Sequence, residues 1–158
     1  MSYTIRPAVE ADFPAILDII KALALFEKAP ERVTNTVEQM KAEKEYFRCL
    51  VAVSDDNVVI AICLYFFAYY TWVGKSLYLD DLYVLEPYRR KGIASALLHE
   101  LFEIARKEKC NRLRLQVLNW NENAIFFYEK IGATIDDEWL NCDFDLNFNA
   151  KTHFDFTQ

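Results

Sequence analysis

"YVLEPYRRKGIASALLHEL" occupies residues 83–101. It reads as the end of a strand, a turn carrying Arg89, Arg90 and Lys91 in succession, then Gly92 and a helix. Ile93, Leu97, Leu98, Leu101 and Ile104 recur at helical spacing and form one apolar stripe that ends near Lys109. A strand that runs into a crossover helix is the building unit of an α/β domain. The first turn of such a helix has free N–H groups and the positive end of the macrodipole, so it can seat an anion. Gly92 would let a phosphate approach the backbone closely. The spacing is neither GxxxxGK[ST] nor GxGxxG. On spacing alone, a solvated basic loop and a phosphate seat are equally good readings.

Working outward, Tyr3 to Arg6 reads as a short strand closed by Pro7, followed by a helix with Ile16, Ile19, Ile20 and Leu23 on one face. Asn35 with Glu38 resembles a capping box for a second helix over Thr36 to Lys44. "FRCLVAVSDDNVVIAICLYFFAYY" places two apolar runs around Asp55-Asp56-Asn57, which predicts a hairpin. "SLYLDDLYVL" is a further strand with two acids in its middle. "RLRLQVL" alternates as a strand, Asn121 to Ile131 reads as a helix stopped by Gly132, and "EWLNCDFDL" is expected to be a closing strand. The order is β-α-α-β-β-β-α-β-α-β: an α/β fold with a mixed, mostly antiparallel twisted sheet flanked by helices. Residues 1–146 are expected to form the single domain and 147–158 a C-terminal tail.

The 158 residues suit one domain, with about 70% of the unfolded chain's surface buried on folding. A net charge of −6 and a pI near 5.0 argue against nucleic acid and anionic membrane as partners. The longest apolar run, Val58 to Tyr70, has 13 residues, whereas a spanning helix needs about 20. No secretory signal is expected. Cys49, Cys63, Cys110 and Cys142 have neither zinc-ligand nor redox CxxC spacing, so the expectation is free thiols, no metal and a cytoplasmic compartment. His99 and His153 have no partner at a useful spacing.

Arg89-Arg90-Lys91-Gly92-Ile93-Ala94 resembles the R/Q-x-x-G-x-G/A segment of the GNAT acetyltransferases. "IRPAVEADFPAILDIIKALALFEK", "YTWVGKSLYLDDLYVLEPYRRKGI" and "NWNENAIFFYEKIGA" resemble, in order and spacing, segments of the branch that acetylates spermidine, spermine and thialysine. The resemblance covers most of Tyr3 to Leu146 and implies acetyl-CoA as co-substrate, a small cationic amine as acceptor, direct attack in a ternary complex, and a homodimer. It implies that Leu82, Val84, Arg89, Arg90, Lys91, Gly92, Ile93, Ala94 and Asn121 contact the cofactor, and that Tyr128 is the general acid. Asp80 would take the proton. Glu27, Asp81 and Trp72 would hold the amine. Asp80 stands where the family usually has Glu, one methylene longer, which favours a bridging water. Phe26 replaces a common Tyr.

The chemistry sets the demand. An aliphatic ammonium with a pKa near 10.4 is neutral in only about one molecule in a thousand at pH 7, a handicap of roughly 4 kcal/mol. A carboxylate can remove the proton, but it also raises the amine's pKa, so the tasks of holding charge and taking the proton are best divided. Adjacent residues of a regular strand face opposite ways. Asp80 and Asp81 can therefore share a cleft only if the strand is bulged or if one of them points to its edge; otherwise they are a solvated edge face. Trp72 reads equally as a cation-holding wall or a core residue, Glu27 as an exposed helix-end acid, and Tyr128 as a core aromatic. Arg6 or Lys75 could receive a substrate carboxylate, so polyamine and lysine-like acceptors both stay open. Two further readings keep the fold: a non-catalytic acyl-CoA sensor, and a protein lysine or N-terminal acetyltransferase.

Overall fold

The computed structural model describes residues 1–146 and 154–157. The chain divides into two units, Met1–Leu118 and Asn119–Gln158. Most of the expected tail, residues 147–153 and 158, lies outside the described residues.

The first unit contains strands β1 (Tyr3–Pro7), β2 (Arg48–Ser54), β3 (Val59–Tyr70), β4 (Gly74–Val84) and β5 (Arg112–Leu115). Its helices are α1 (Phe13–Phe26), α2 (Val37–Ala42) and α3 (Ile93–Lys107). The sheet order is β1-β2-β3-β4-β5. The first three pairings are antiparallel and β4–β5 is parallel, the mixed sheet expected from hairpins followed by a crossover helix. The β2–β3 hairpin turns at the expected site, with Asn57 at φ 59°.

Both sheet faces are covered, which explains the unbroken apolar run of β3. Phe13, Ile16, Leu17 and Ile19 of α1 and Met40 of α2 pack with Cys49, Val51, Val53, Ile62 and Leu64 in one core cluster. Alternation sends Cys63, Leu77 and Leu79 the other way, where they are buried along with Ile93, Leu97, Leu98 and Leu101 of α3.

Three expectations change. Helix α2 is capped by Thr36, whose hydroxyl accepts from the Gln39 N–H at 3.1 Å, while Asn35 accepts from the Thr36 N–H. Strand β5 stops at Leu115 because its ladder with β4 ends at the Leu79–Leu115 pair, just before β4 bulges. The closing strand expected in "EWLNCDFDL" is not formed: residues 138–146 are exposed and irregular. Alternation identifies side chains that suit a pleated surface, but a strand also needs a ladder, and the described sheet β1-β2-β3-β4-β5 does not take in these residues.

The second unit contains α4 (Glu122–Lys130). Asn121 is its N-cap, accepting from the Ala124 N–H at 3.3 Å, and Gly132 follows its C-terminus at φ 105°.

Candidate active site

The register of β3 against β4 decides where the two acids point. Leu64 faces Asp81, but Tyr65 faces Leu79, so Asp80 is an extra residue with no partner. This is the bulge considered for the adjacent acids. It places Asp81 on the α1 side of the sheet, where it lines a cavity of about 260 Å³ with Ile20, Leu23, Ala24, Glu27 and Arg32. Helix α1 brings Glu27 there because Glu27 is its C-cap residue, one turn beyond Leu23, which lines the same cavity.

Three carboxyl groups thus share one electrostatic environment. Burial, and then repulsion from Asp80 and Glu27, push Asp81 up to about 7. Burial also raises Asp80, although part of its surface meets solvent. Glu27 is raised by burial and by Asp80. Burial and like charge both penalise the ionised form, and only a bound cation or a proton relieves them. Of the three, Asp81 is the one whose proton affinity matches neutral pH.

The basic turn begins where β4 ends. Its residues have unequal roles. Arg89 folds back: its Nε donates to the Val84 carbonyl at 3.0 Å and its NH2 group donates to the Tyr83 hydroxyl at 2.6 Å. Its guanidinium also lies 5.0 Å from the Tyr83 ring centre and 5.7 Å from that of Phe26. The Val84 side chain is buried, and Leu82 is half-buried opposite Cys63. Arg90 and Lys91 are exposed, with Lys91 5.7 Å from the Tyr88 ring. Arg90 at φ 61° and Gly92 at φ 75° turn the backbone sharply into α3. No side chain caps α3, and a Cβ at Gly92 would meet nothing within 4 Å. The first-turn N–H groups and the open space beside Gly92 therefore suit a diphosphate. Ile93 is buried, so only its backbone can face an anion, while Ala94 is half-buried.

Trp72 is 84% exposed in the β3–β4 turn, which excludes the core reading. Seven residues separate Gly74 from Asp81, about 20 Å along a strand, so within this unit Trp72 does not join the acids. Arg6 and Lys75 are both engaged: Arg6 pairs with Asp12 at 2.7 Å and Lys75 with Glu108 at 2.8 Å. In the second unit, Tyr128 is half-buried, with its ring 5.3 Å from that of Phe127. Sequence reasoning missed Tyr83 as the partner of Arg89, Arg32 on the cavity wall, and the neighbouring Arg112 and Arg114. The Arg-Leu-Arg-Leu alternation already placed the last two on one face.

The model of the acetyltransferase (GNAT) family matches residues 13–133. The thialysine N-epsilon-acetyltransferase of Mus musculus is 36% identical, over 91% of this chain and 93% of its own length. The spermidine/spermine N(1)-acetyltransferase-like protein 1 of Homo sapiens is 33% identical over 83% of this chain but only 20% of its own length. A crystal structure described as a possible acetyltransferase from Clostridium difficile 630 superposes with a TM-score of 0.75 at 24% identity, covering 92% of this chain and 99% of that one, and speaks for the fold alone. The family model spans the acidic cavity, the bulge and the basic turn, and this chain belongs to the GNAT family of acetyltransferases.

Proposed function

We propose that the protein transfers the acetyl group of acetyl-CoA to a primary amine of a small cationic substrate, by direct attack within a ternary complex. The observation that carries this reading is the gathering of Glu27, Asp80 and Asp81 at the bulge, one strand end away from an uncapped helix N-terminus. The names of the thialysine and spermidine/spermine relatives support a polyamine or a lysine-like acceptor.

Bound acetyl-CoA supplies an activated acetyl thioester. Arg90, Lys91, Gly92 and the first-turn N–H groups of α3, including those of Ile93 and Ala94, would hold its phosphates. Arg89 shapes the turn from behind. Glu27 and Asp80 hold positive charge on the acceptor. Asp81, with its affinity for a proton near neutrality, accepts the proton that the ammonium must lose, directly or through water; Asp80 is the alternative acceptor. Tyr128 donates a proton to the departing thiolate. A free phenol's pKa near 10 exceeds that of a thiol by about 1.5, so such a donation needs the developing charge to draw it. The enzyme is read as a cytoplasmic homodimer.

The test is release of free thiol from acetyl-CoA with spermidine, putrescine, thialysine and lysine in parallel, with Tyr128→Phe beside wild type. Turnover of one amine and a loss of kcat in the variant of about 100-fold support the reading. Tight coenzyme A binding without turnover of any amine would sink it in favour of a sensor.

A further inference from the structure

Strand β5 carries two arginines on one face. Arg112 pairs in register with Ser76 and Arg114 with Tyr78. Both guanidinium groups lie over the ring of Tyr70, Arg114 at 4.5 Å and Arg112 at 5.7 Å. Among the described residues, neither makes an ion pair, in a chain with 24 acidic residues and a net charge of −6. Two like charges side by side on a sheet cost stability, so their pairing here calls for an anion. A ring accepts no N–H···O bond, so a guanidinium held over it by charge keeps donors that can take a carboxylate through two parallel bonds.

The place also matters. Tyr78, opposite Arg114, stacks on Phe66 at 5.0 Å and feels the charge of both Asp80 and Arg114. Asp80 is two residues further along β4, so the Cα atoms of Asp80 and Arg114 are about 8 Å apart by strand spacing. A pair of arginines and the acids of the bulge thus meet at the point where the β4–β5 ladder ends. Arg6 and Lys75, the other cations considered for a carboxylate, are spent on Asp12 and Glu108.

We propose that Arg112 and Arg114, both lying over Tyr70, form a carboxylate subsite that selects an amino-acid acceptor over a polyamine. The proposal rests on the acetyltransferase reading above and names its substrate class: an aliphatic amine whose far end carries an α-carboxylate. The carboxylate binds the arginine pair while the reacting amine meets the acids at the bulge.

The test compares lysine with 1,5-diaminopentane, which differs only in lacking the carboxylate. Wild type, Arg112→Gln, Arg114→Gln and Arg114→Lys are assayed for kcat and KM, and calorimetry measures binding of each amine to the coenzyme A complex. The expected result is a wild-type preference for lysine. The Gln variants raise the lysine KM by about 10- to 100-fold with little change in kcat, and Arg114→Lys restores part of the loss. The diamine KM stays level or falls. Equal losses for both amines, or a wild-type preference for the diamine, overturn the subsite. Failure of every amine to turn over defeats the acetyltransferase reading instead. Calorimetry then still decides the subsite: a lysine preference lost in Arg114→Gln upholds it, and no preference overturns it.

Discussion

The Arg89 guanidinium donates to the Tyr83 hydroxyl at 2.6 Å, which turns the first arginine of the basic turn toward β4. The three basic residues therefore divide into one that braces the turn and two that face water. Arg90→Gln and Lys91→Gln are each expected to weaken coenzyme A binding several-fold, with the loss shrinking as salt is raised, because exposed charges are screened. Tyr83→Phe is expected to lower stability by about 1 kcal/mol and leave the salt dependence of coenzyme A binding intact. Titration at two ionic strengths, with thermal unfolding alongside, separates the two classes.

Gly92 supports a second test. At φ 75° an alanine is strained by about 1 kcal/mol, and nothing within 4 Å adds a clash. Gly92→Ala should therefore lower Tm by only about 2–4 °C. Coenzyme A affinity should fall at least tenfold, because the new methyl group enters the space left for phosphate. A loss of Tm without a loss of affinity would show that the turn holds no phosphate.

The acidic cavity makes stability depend on pH. Asp81 titrates near 7 in the folded protein and near 3.9 when unfolded, so between those values the folded state holds the extra proton. Its contribution is fully present below about pH 4 and is lost as pH rises through 7. Asp81→Asn should flatten this dependence and be the more stable protein at pH 8, by on the order of 2 kcal/mol. Urea unfolding at pH 5 and pH 8 reads this directly.

Proton acceptance divides the same pair by rate. With Asp81 as acceptor, Asp81→Asn should lower kcat by about 100-fold and remove the acid limb near pH 7, while Asp80→Asn mainly raises the amine KM. The reverse pattern in a pH–rate series would assign the proton to Asp80.

Much of the fold could be read from the residues. The Asp55-Asp56-Asn57 turn, the α1 and α3 stripes and the strand-to-helix passage at Gly92 are local signals, and each element formed where its pattern lay. Features that depend on a distant partner were less legible. Trp139, Cys142 and Phe144 suit a strand, but no ladder receives them among the described residues. Asp80 and Asp81 left a bulge and a solvated edge both open, and only the register with Leu64 and Tyr65 showed the bulge and identified Asp80 as the extra residue. Arg89 looked like its two neighbours until the Tyr83 hydroxyl and the Val84 carbonyl gave it another task. Arg112 and Arg114 read only as the polar half of a strand, because Tyr70 is remote from them in sequence.

The unpaired Asp80 also works as a change of reading frame along β4. Before it, the even-numbered Tyr78 shares a face with Phe66; after it, the odd-numbered Asp81 and Tyr83 take over that side. Paired regularly instead of bulged, Asp80 would turn Asp81 and Tyr83 toward the α3 side and Leu82 and Val84 toward α1. The cavity would then lose its deepest acid, and Arg89 would lose the hydroxyl that braces it. Deleting Asp80, by contrast, would leave a regular ladder with Asp81 and Tyr83 still on the α1 side, so a single-codon deletion should spare both the cavity's deepest acid and the brace on Arg89.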